Sequence, residues 1–186
     1  MPGVTNVNFD DDLFYEHWNK EYFNRTNNEN PKIEDFINIL AICHTIITEK
    51  KNDVLNYNAS SPDELALTNA ARHFGVIFEE RDEDNNLVIH NKLTDTNSEF
   101  SLLNVIEFTS TRKRMSVVVR TPDNRILVMT KGADSIIISK LKAGQEKLID
   151  KTSEFLTDYA NQGLRTLLLA QKEISEAEYA IWNKKY

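Results

Sequence analysis

The sequence contains two short apolar stretches, residues 115–120 and 125–131, that are separated only by Thr121-Pro122-Asp123-Asn124. Proline presets the φ angle of a tight turn, and aspartate and asparagine side chains hydrogen-bond to the backbone of such turns. Two strands joined by so few residues can pair only in the antiparallel sense, because a parallel pair needs a long crossover. This hairpin therefore predicts a sheet that is at least partly antiparallel.

Further strands are predicted on both sides of this hairpin. Residues 76–81 and 87–90 are apolar stretches joined by the acidic, asparagine-rich residues 82–86, which indicates a second hairpin. Between residues 100 and 108 the apolar side chains fall on both faces of a strand, as expected for a central strand. Residues 164–170 predict one more strand.

Helical spacing of apolar residues predicts two helices before these strands. The first covers residues 10–25, with Phe14, Trp18 and Phe23 as its packing residues, and an asparagine-rich loop follows it up to Asn30. Pro31 begins the second helix, whose apolar stripe is expected to be largely buried. The members of that stripe are Ile33, Phe36, Ile37, Leu40, His44 and Ile47.

A third helix has clear signals at both ends. Ser61 is the predicted N-cap, Pro62 lies in the first turn, Glu64 completes an S-x-x-E capping box, and Gly75 ends the helix. Three more helices are predicted over residues 133–141, 145–162 and 175–182. Helices around a largely antiparallel, twisted sheet indicate an α+β (mixed α/β) fold. In the helix over 145–162 the predicted packing stripe consists of Leu148, Phe155, Leu156 and Tyr159.

Length and composition restrict the function. The 186 residues are expected to form one domain, with residues 1–9 flexible or partly of engineered origin. A formal net charge of -7 argues against binding to nucleic acids or to anionic membrane surfaces. The longest apolar stretch, residues 36–47, is shorter than the roughly 20 residues of a membrane-spanning helix. The single cysteine, Cys43, suits a buried thiol in a reducing compartment, so a cytosolic location is expected.

Four residues have chemistry suited to a nucleotide. Lys131 and Gly132 end a strand just before a helix, where backbone N–H groups favour anions and a residue without Cβ lets a ligand approach closely. Phe108 ends another strand and has a ring that could stack on a base. Arg165 has a guanidinium that suits either a phosphate or a structural carboxylate. Each residue also has a purely structural interpretation: a plain turn, core packing or an ion pair.

Other motifs favour structural roles. Arg112, Lys113 and Arg114 are more typical of a solvated hairpin end than of a phosphate clamp. The four histidines have no partner at metal-ligand spacing, and the sequence contains no P-loop and no Gly-x-Gly-x-x-Gly motif. Any ATP site would therefore lack the common phosphate-binding loops.

Five short blocks follow one another along the chain: Leu40-Ala41-Ile42-Cys43-His44-Thr45, residues 57–64, residues 108–117, Lys131-Gly132-Ala133-Asp134 and Gly163-Leu164-Arg165-Thr166-Leu167. Their order resembles the nucleotide-binding domain of type IV P-type ATPases, the phospholipid flippases. The block around residues 112–115 and Ser61-Pro62-Asp63-Glu64 are typical of the flippase branch. Asp150-Lys151-Thr152 is similar to the start of the family's phosphorylation motif, but its helical context predicts an exposed helix residue.

The resemblance implies roles for matching residues. Phe108 would stack on adenine, with Glu64 a polar contact on the same side. Lys131 would lie deep in the pocket, Arg165 would contact a phosphate, and Ser110 and Gly132 would line the pocket.

The resemblance also implies a larger membrane pump, of which this chain would be a cytosolic domain without direct membrane contact. The phosphorylated aspartate and most ligands of Mg2+ would lie outside it, and its partners would be ATP and the phosphorylation and actuator domains of that pump. The chain alone would then bind ATP without hydrolysing it, and a separate partner subunit could join the pump. Two alternatives stay open: a stand-alone regulatory or interaction module, and the same domain in a cation-transporting ATPase.

Overall fold

Six antiparallel strands form the centre of the protein in a computed structural model, which describes residues 7–23, 32–52 and 54–186. In chain order the elements are α1 (Asp12–Phe23), α2 (Lys32–Ile42), β1 (Ile47–Lys51), β2 (Val54–Asn58), α3 (Pro62–His73), β3 (Val76–Arg81), β4 (Asn86–Asn91), β5 (Thr96–Ile106), β6 (Arg114–Arg120), β7 (Ile126–Gly132), α4 (Asp134–Ile138), α5 (Glu146–Asn161), β8 (Leu168–Ile174) and α6 (Glu176–Asn183).

The large sheet confirms the predicted fold class. Its strands lie in the order β3-β4-β5-β6-β7-β8, and every neighbouring pair is antiparallel. The turn after β6 has Asn124 at φ 64°, a left-handed conformation that asparagine tolerates better than most residues. β5 lies inside the sheet, as the apolar residues on both of its faces predicted.

The core lies between one face of this sheet and the helices α2 and α3. Because side chains alternate along a strand, Leu127 and Met129 of β7 share the face that packs on these helices. Cys43 follows α2, is fully buried, and lies 3.6 Å from the carbonyl oxygen of Met129. Burial raises the pKa of this thiol to about 12, so it stays protonated at neutral pH.

The second helix is shorter than predicted. α2 ends at Ile42, so His44 and Ile47 do not continue its stripe. His44 is buried after the helix, whereas Ile47 begins β1 and is exposed. β1 pairs with β2 in a separate two-stranded sheet that was not predicted. Phe36 is also more exposed than expected for that stripe.

Two predictions near the C-terminal end need correction. The last strand begins at Leu168, four residues later than predicted, because its pairing with β7 begins with Leu168 opposite Gly132. The α5 stripe is not buried either: Leu148, Phe155 and Tyr159 are all exposed, and no residue of α5 is buried.

Helix α4 ends at Ile138, three residues before its predicted end, whereas the signals predicted for the ends of α3 are present in the structure. Ser61 caps α3 by accepting a hydrogen bond from the backbone N–H of Glu64, and Gly75 follows the helix at φ 92°. The predicted loop up to Asn30, Pro31 and the Phe23 side chain lie outside the described residues. In the part of the chain that the structure describes, no helix is long and apolar enough to cross a membrane.

Candidate functional site

A cavity of about 1280 Å³ opens between α3, the end of β7, the loop after β5 and helix α5. It brings together all six residues that the sequence analysis proposed for a nucleotide site. They are Glu64, Phe108, Ser110, Lys131, Gly132 and Arg165.

Lys131 and Glu64 form a buried ion pair in this cavity. Lys131 follows Leu127 and Met129 on the core face of β7, so its side chain points into the protein. Glu64 shares a face of α3 with Thr68, one helical turn away, and that face is buried. The Nζ atom of Lys131 lies 3.1 Å from Oε1 of Glu64, and the two side chains are only 8% and 10% exposed.

Thr45 completes the environment of the Glu64 carboxylate. Its hydroxyl donates a hydrogen bond of 2.9 Å to Oε2 of Glu64, and its backbone N–H lies 3.4 Å from the same atom. Burial disfavours the charged form, but Lys131 and Thr45 outweigh it and lower the pKa of Glu64 below its ordinary value. The carboxylate is therefore ionised at neutral pH. It lies against these partners and does not complete the predicted capping box.

Phe108 has an exposed ring beside this polar pair. Phe108 lies two residues after Ile106, where β5 ends, so it does not end that strand as predicted, and it is 62% exposed. A phenylalanine in the core would be covered on both faces, so the core-packing interpretation does not apply here. An accessible aromatic face is the feature that base stacking requires.

Arg112 holds the loop that carries Phe108. Its Nη1 atom lies 3.1 Å, 2.6 Å and 3.3 Å from the carbonyl oxygens of Ile106, Glu107 and Arg114. These contacts join the end of β5 to the start of β6. Arg112 thus stabilises the loop, a role that the sequence analysis did not predict.

Gly132 is required by the packing of two strands. A Cβ atom at this position would lie 2.5 Å from Cβ of Arg114 and 2.7 Å from the carbonyl oxygen of Lys113. The next residue, Ala133, donates a backbone hydrogen bond of 3.0 Å to that same oxygen. The close approach fixes the corner after Lys131 against the base of the Phe108 loop.

Arg165 lies at the exposed side of the cavity. It belongs to the segment between α5 and β8, and its Nη2 atom lies 3.0 Å from Oδ2 of Asp63. The sequence analysis singled out neither Asp63 nor Thr45 as a site residue. Both lie next to residues that it did consider, but their contacts join distant segments and become visible only in the fold.

The opposite wall of the cavity comes from α5. Phe155 and Tyr159 stack with ring centroids 6.4 Å apart, and both line the cavity. Asp150 on the same helix is exposed, as predicted. Among the residues described by the structure, no cluster of three or more His, Cys, Asp or Glu side chains could hold a metal ion.

Comparison with known families identifies a match over most of the chain. Residues 32–186 match the family described as P-type ATPase, cytoplasmic domain N. The match includes α2, both sheets and every residue that lines the cavity.

Several curated proteins are similar to the chain. Phospholipid-transporting ATPase DRS2 of Saccharomyces cerevisiae is 43% identical over 159 residues, which cover 85% of this chain and 12% of that protein. Phospholipid-transporting ATPase IC of Homo sapiens is 40% identical over 93% of this chain and 13% of its own length. Phospholipid-transporting ATPase 6 of Arabidopsis thaliana is 38% identical over 99% of this chain and 15% of its own length. The chain thus spans about one seventh of these relatives or less.

Proposed function

The chain belongs to the P-type ATPase cytoplasmic domain N family, and on this basis we propose that it binds ATP in the cavity between α3, β7 and α5. The observation that carries the proposal is the exposed ring of Phe108 beside the buried Lys131–Glu64 pair. An apolar stacking surface next to fixed polar groups suits a heteroaromatic base, which has a π face and a polar edge.

Each end of the nucleotide has a suitable partner in this arrangement. Phe108 offers its face to adenine, while the Lys131–Glu64 pair presents one cation and one carboxylate to polar atoms of the ligand. Arg165 has an exposed guanidinium at the open side of the cavity, where it can donate hydrogen bonds to phosphate oxygens. Ser110 and Gly132 line the same space without adding charge.

We further infer that the domain works within a phospholipid-translocating pump. The names of the relatives support this, since each is a phospholipid-transporting ATPase. In such a pump this cytosolic domain positions ATP so that its γ-phosphate reaches an aspartate in the phosphorylation domain, with Mg2+ held largely outside it. Its contribution to phosphoryl transfer is then orientation and charge stabilisation.

Titration of the chain with ATP, followed by backbone amide shifts in NMR spectra, tests the proposed site. We expect the shifts to cluster around Phe108, Lys131 and Arg165, with a dissociation constant of about 1 mM because the cavity has no phosphate-binding loop. Phe108→Ala should weaken binding by about tenfold, since base stacking contributes about 1–3 kcal/mol. Ile181→Ala is the matched control, because Ile181 of α6 is also 62% exposed.

Three results would contradict these proposals. An absence of saturable shifts at about 10 mM ATP would favour a regulatory or interaction module that keeps the fold without nucleotide binding. Equal losses in Phe108→Ala and Ile181→Ala would show that ATP binds elsewhere. In the intact protein, ATP hydrolysis that responds to cations and not to phospholipids would contradict the transport role.

A further inference from the structure

The first turn of α3 places two adjacent carboxylates against two of the three cations that line the cavity. Glu64 pairs with Lys131 and Asp63 pairs with Arg165, at 3.1 Å and 3.0 Å. The pairs differ strongly in burial, because Arg165 is 85% exposed and Asp63 38%, whereas the other two side chains are almost covered. Only the Asp63–Arg165 pair can therefore open without exposing a buried charge.

This arrangement neutralises Lys131 and Arg165 before any ligand arrives. Thr45 also hydrogen-bonds Glu64, so the Lys131–Glu64 pair is fixed by several contacts. Exposed ion pairs contribute little stability and are readily replaced by another partner. A phosphate group that reaches Arg165 must displace the Asp63 carboxylate or share the guanidinium with it, and in both cases Asp63 repels the phosphate.

We propose that Asp63 is a specificity-determining residue, which competes with phosphate for Arg165 and selects against nucleotides with high uncompensated negative charge. The inference rests on the proposed nucleotide function and deepens it. Asp63 weakens the binding of free ATP more than that of AMP. It weakens the binding of ATP less when a divalent cation partly neutralises the phosphates. Adenosine, which has no phosphate, is not affected.

Asp63 also lies in the first turn of a helix, where a negative charge is favourable. Asp63→Asn removes the charge and keeps the size of the side chain, so it is the appropriate variant. Glu176→Gln is the matched control, because Glu176 lies in the first turn of α6 and pairs with an arginine, Arg120, away from the cavity.

The experiment is calorimetric or NMR titration of the chain with adenosine, AMP, ADP and ATP, each without and with Mg2+. For Asp63→Asn we expect ATP without Mg2+ to bind about three- to tenfold tighter, a smaller gain for AMP, and no change for adenosine. The gain in ATP affinity should be smaller with Mg2+ and in high salt, because both reduce the repulsion between Asp63 and the phosphates. Glu176→Gln should leave all of these affinities unchanged.

A second variant separates competition for Arg165 from a general charge effect. In an Arg165→Gln background, Asp63→Asn should produce a smaller gain for ATP than in the unaltered chain. Equal gains in both backgrounds, no gain for ATP, or the same gain for adenosine and ATP would overturn the inference while leaving the nucleotide site in place. A lack of saturable binding of every nucleotide to the unaltered chain would overturn the proposed function and this inference together.

Discussion

The ammonium group of Lys131 lies 3.1 Å from the carboxylate of Glu64, so the end of β7 is joined to the first turn of α3 by a buried ion pair. Replacing Lys131 with methionine leaves this carboxylate without its cation. We expect the free energy of unfolding to fall by about 3 kcal/mol, because an unpaired buried charge is costly. Urea denaturation followed by circular dichroism measures the change.

The double variant Lys131→Met/Glu64→Gln is the control for this prediction. It removes both charges, so it should be more stable than Lys131→Met alone. If the loss of stability in the double variant equals the sum of the losses in Lys131→Met and Glu64→Gln, the two residues are not energetically coupled.

The stability of the protein should depend on His44 in mildly acidic solution. Burial lowers the pKa of His44 to about 4, from 6.5. The Nε2 atom lies 2.8 Å from the carbonyl oxygen of Ala41, and the Nδ1 atom accepts a hydrogen bond from the backbone N–H of Ile46, so both ring nitrogens are used by the neutral form. Between these two pKa values the unfolded chain binds one more proton than the folded chain.

Stability therefore falls as the pH decreases from about 6.5 to about 4, by about 3 kcal/mol from this residue. Urea denaturation at several pH values, compared with His44→Gln, measures the contribution. The variant should be less stable at neutral pH and should lose less stability on acidification. Identical pH profiles for the two proteins would contradict this interpretation.

Gly132→Ala should disturb the base of the site. The added Cβ would lie 2.5 Å from Cβ of Arg114, so β6 and β7 must separate locally. We expect a loss of about 1–3 kcal/mol in the free energy of unfolding, as for other overpacked positions. Gly144→Ala is a useful comparison, because nothing lies within 4 Å of its added Cβ and only the left-handed φ of 87° opposes it. That variant should lose about 1 kcal/mol, and a larger loss than in Gly132→Ala would contradict the packing argument.

Arg112→Ala should weaken nucleotide binding because this side chain holds the Phe108 loop, although it does not itself line the cavity. Without the contacts to the carbonyl oxygens of Glu107 and Arg114, the Phe108 loop loses its fixed position, and affinity for adenosine and ATP should fall together by about tenfold. Arg112→Lys should not restore binding, because one ammonium cannot reproduce the guanidinium geometry. Arg125→Ala, at a distant turn, is the control. A loss of ATP binding with normal adenosine binding would instead indicate a direct phosphate contact.

Strands with distinctive turn residues could be predicted from the sequence. Thr121-Pro122-Asp123-Asn124 defined the hairpin of β6 and β7, and residues 82–86 defined that of β3 and β4. The β1–β2 hairpin was missed because β1 has no buried residue, and β2 alternates over only two inward-facing residues, Leu55 and Tyr57, which is too short a pattern to indicate a strand. Leu164 and Leu167 suggested an early start for β8, but only the pairing with Gly132 determines where that strand begins.

The candidate site could be predicted as a set of residue types, not as a set of contacts. The residues of the sequence blocks indicated Lys131, Phe108 and Arg165, and the fold brings them into one cavity. The ion pair between Arg165 and Asp63 joins two segments that are far apart in the chain, so no local sequence pattern indicates it. The roles of these residues toward a nucleotide remain predictions.

The order of the strands has a consequence for folding. Because each strand from β3 to β7 pairs with its neighbour in the chain, every added hairpin closes only a short loop, and this local topology favours rapid assembly. β8 is different, since residues 133–167 must be closed into a loop before it can join β7. During synthesis from the N-terminus, the exposed ring of Phe108 and the lysine of β7 are therefore in place before the strand that follows Arg165. The side of the cavity that contains Arg165 is the last part of it to form.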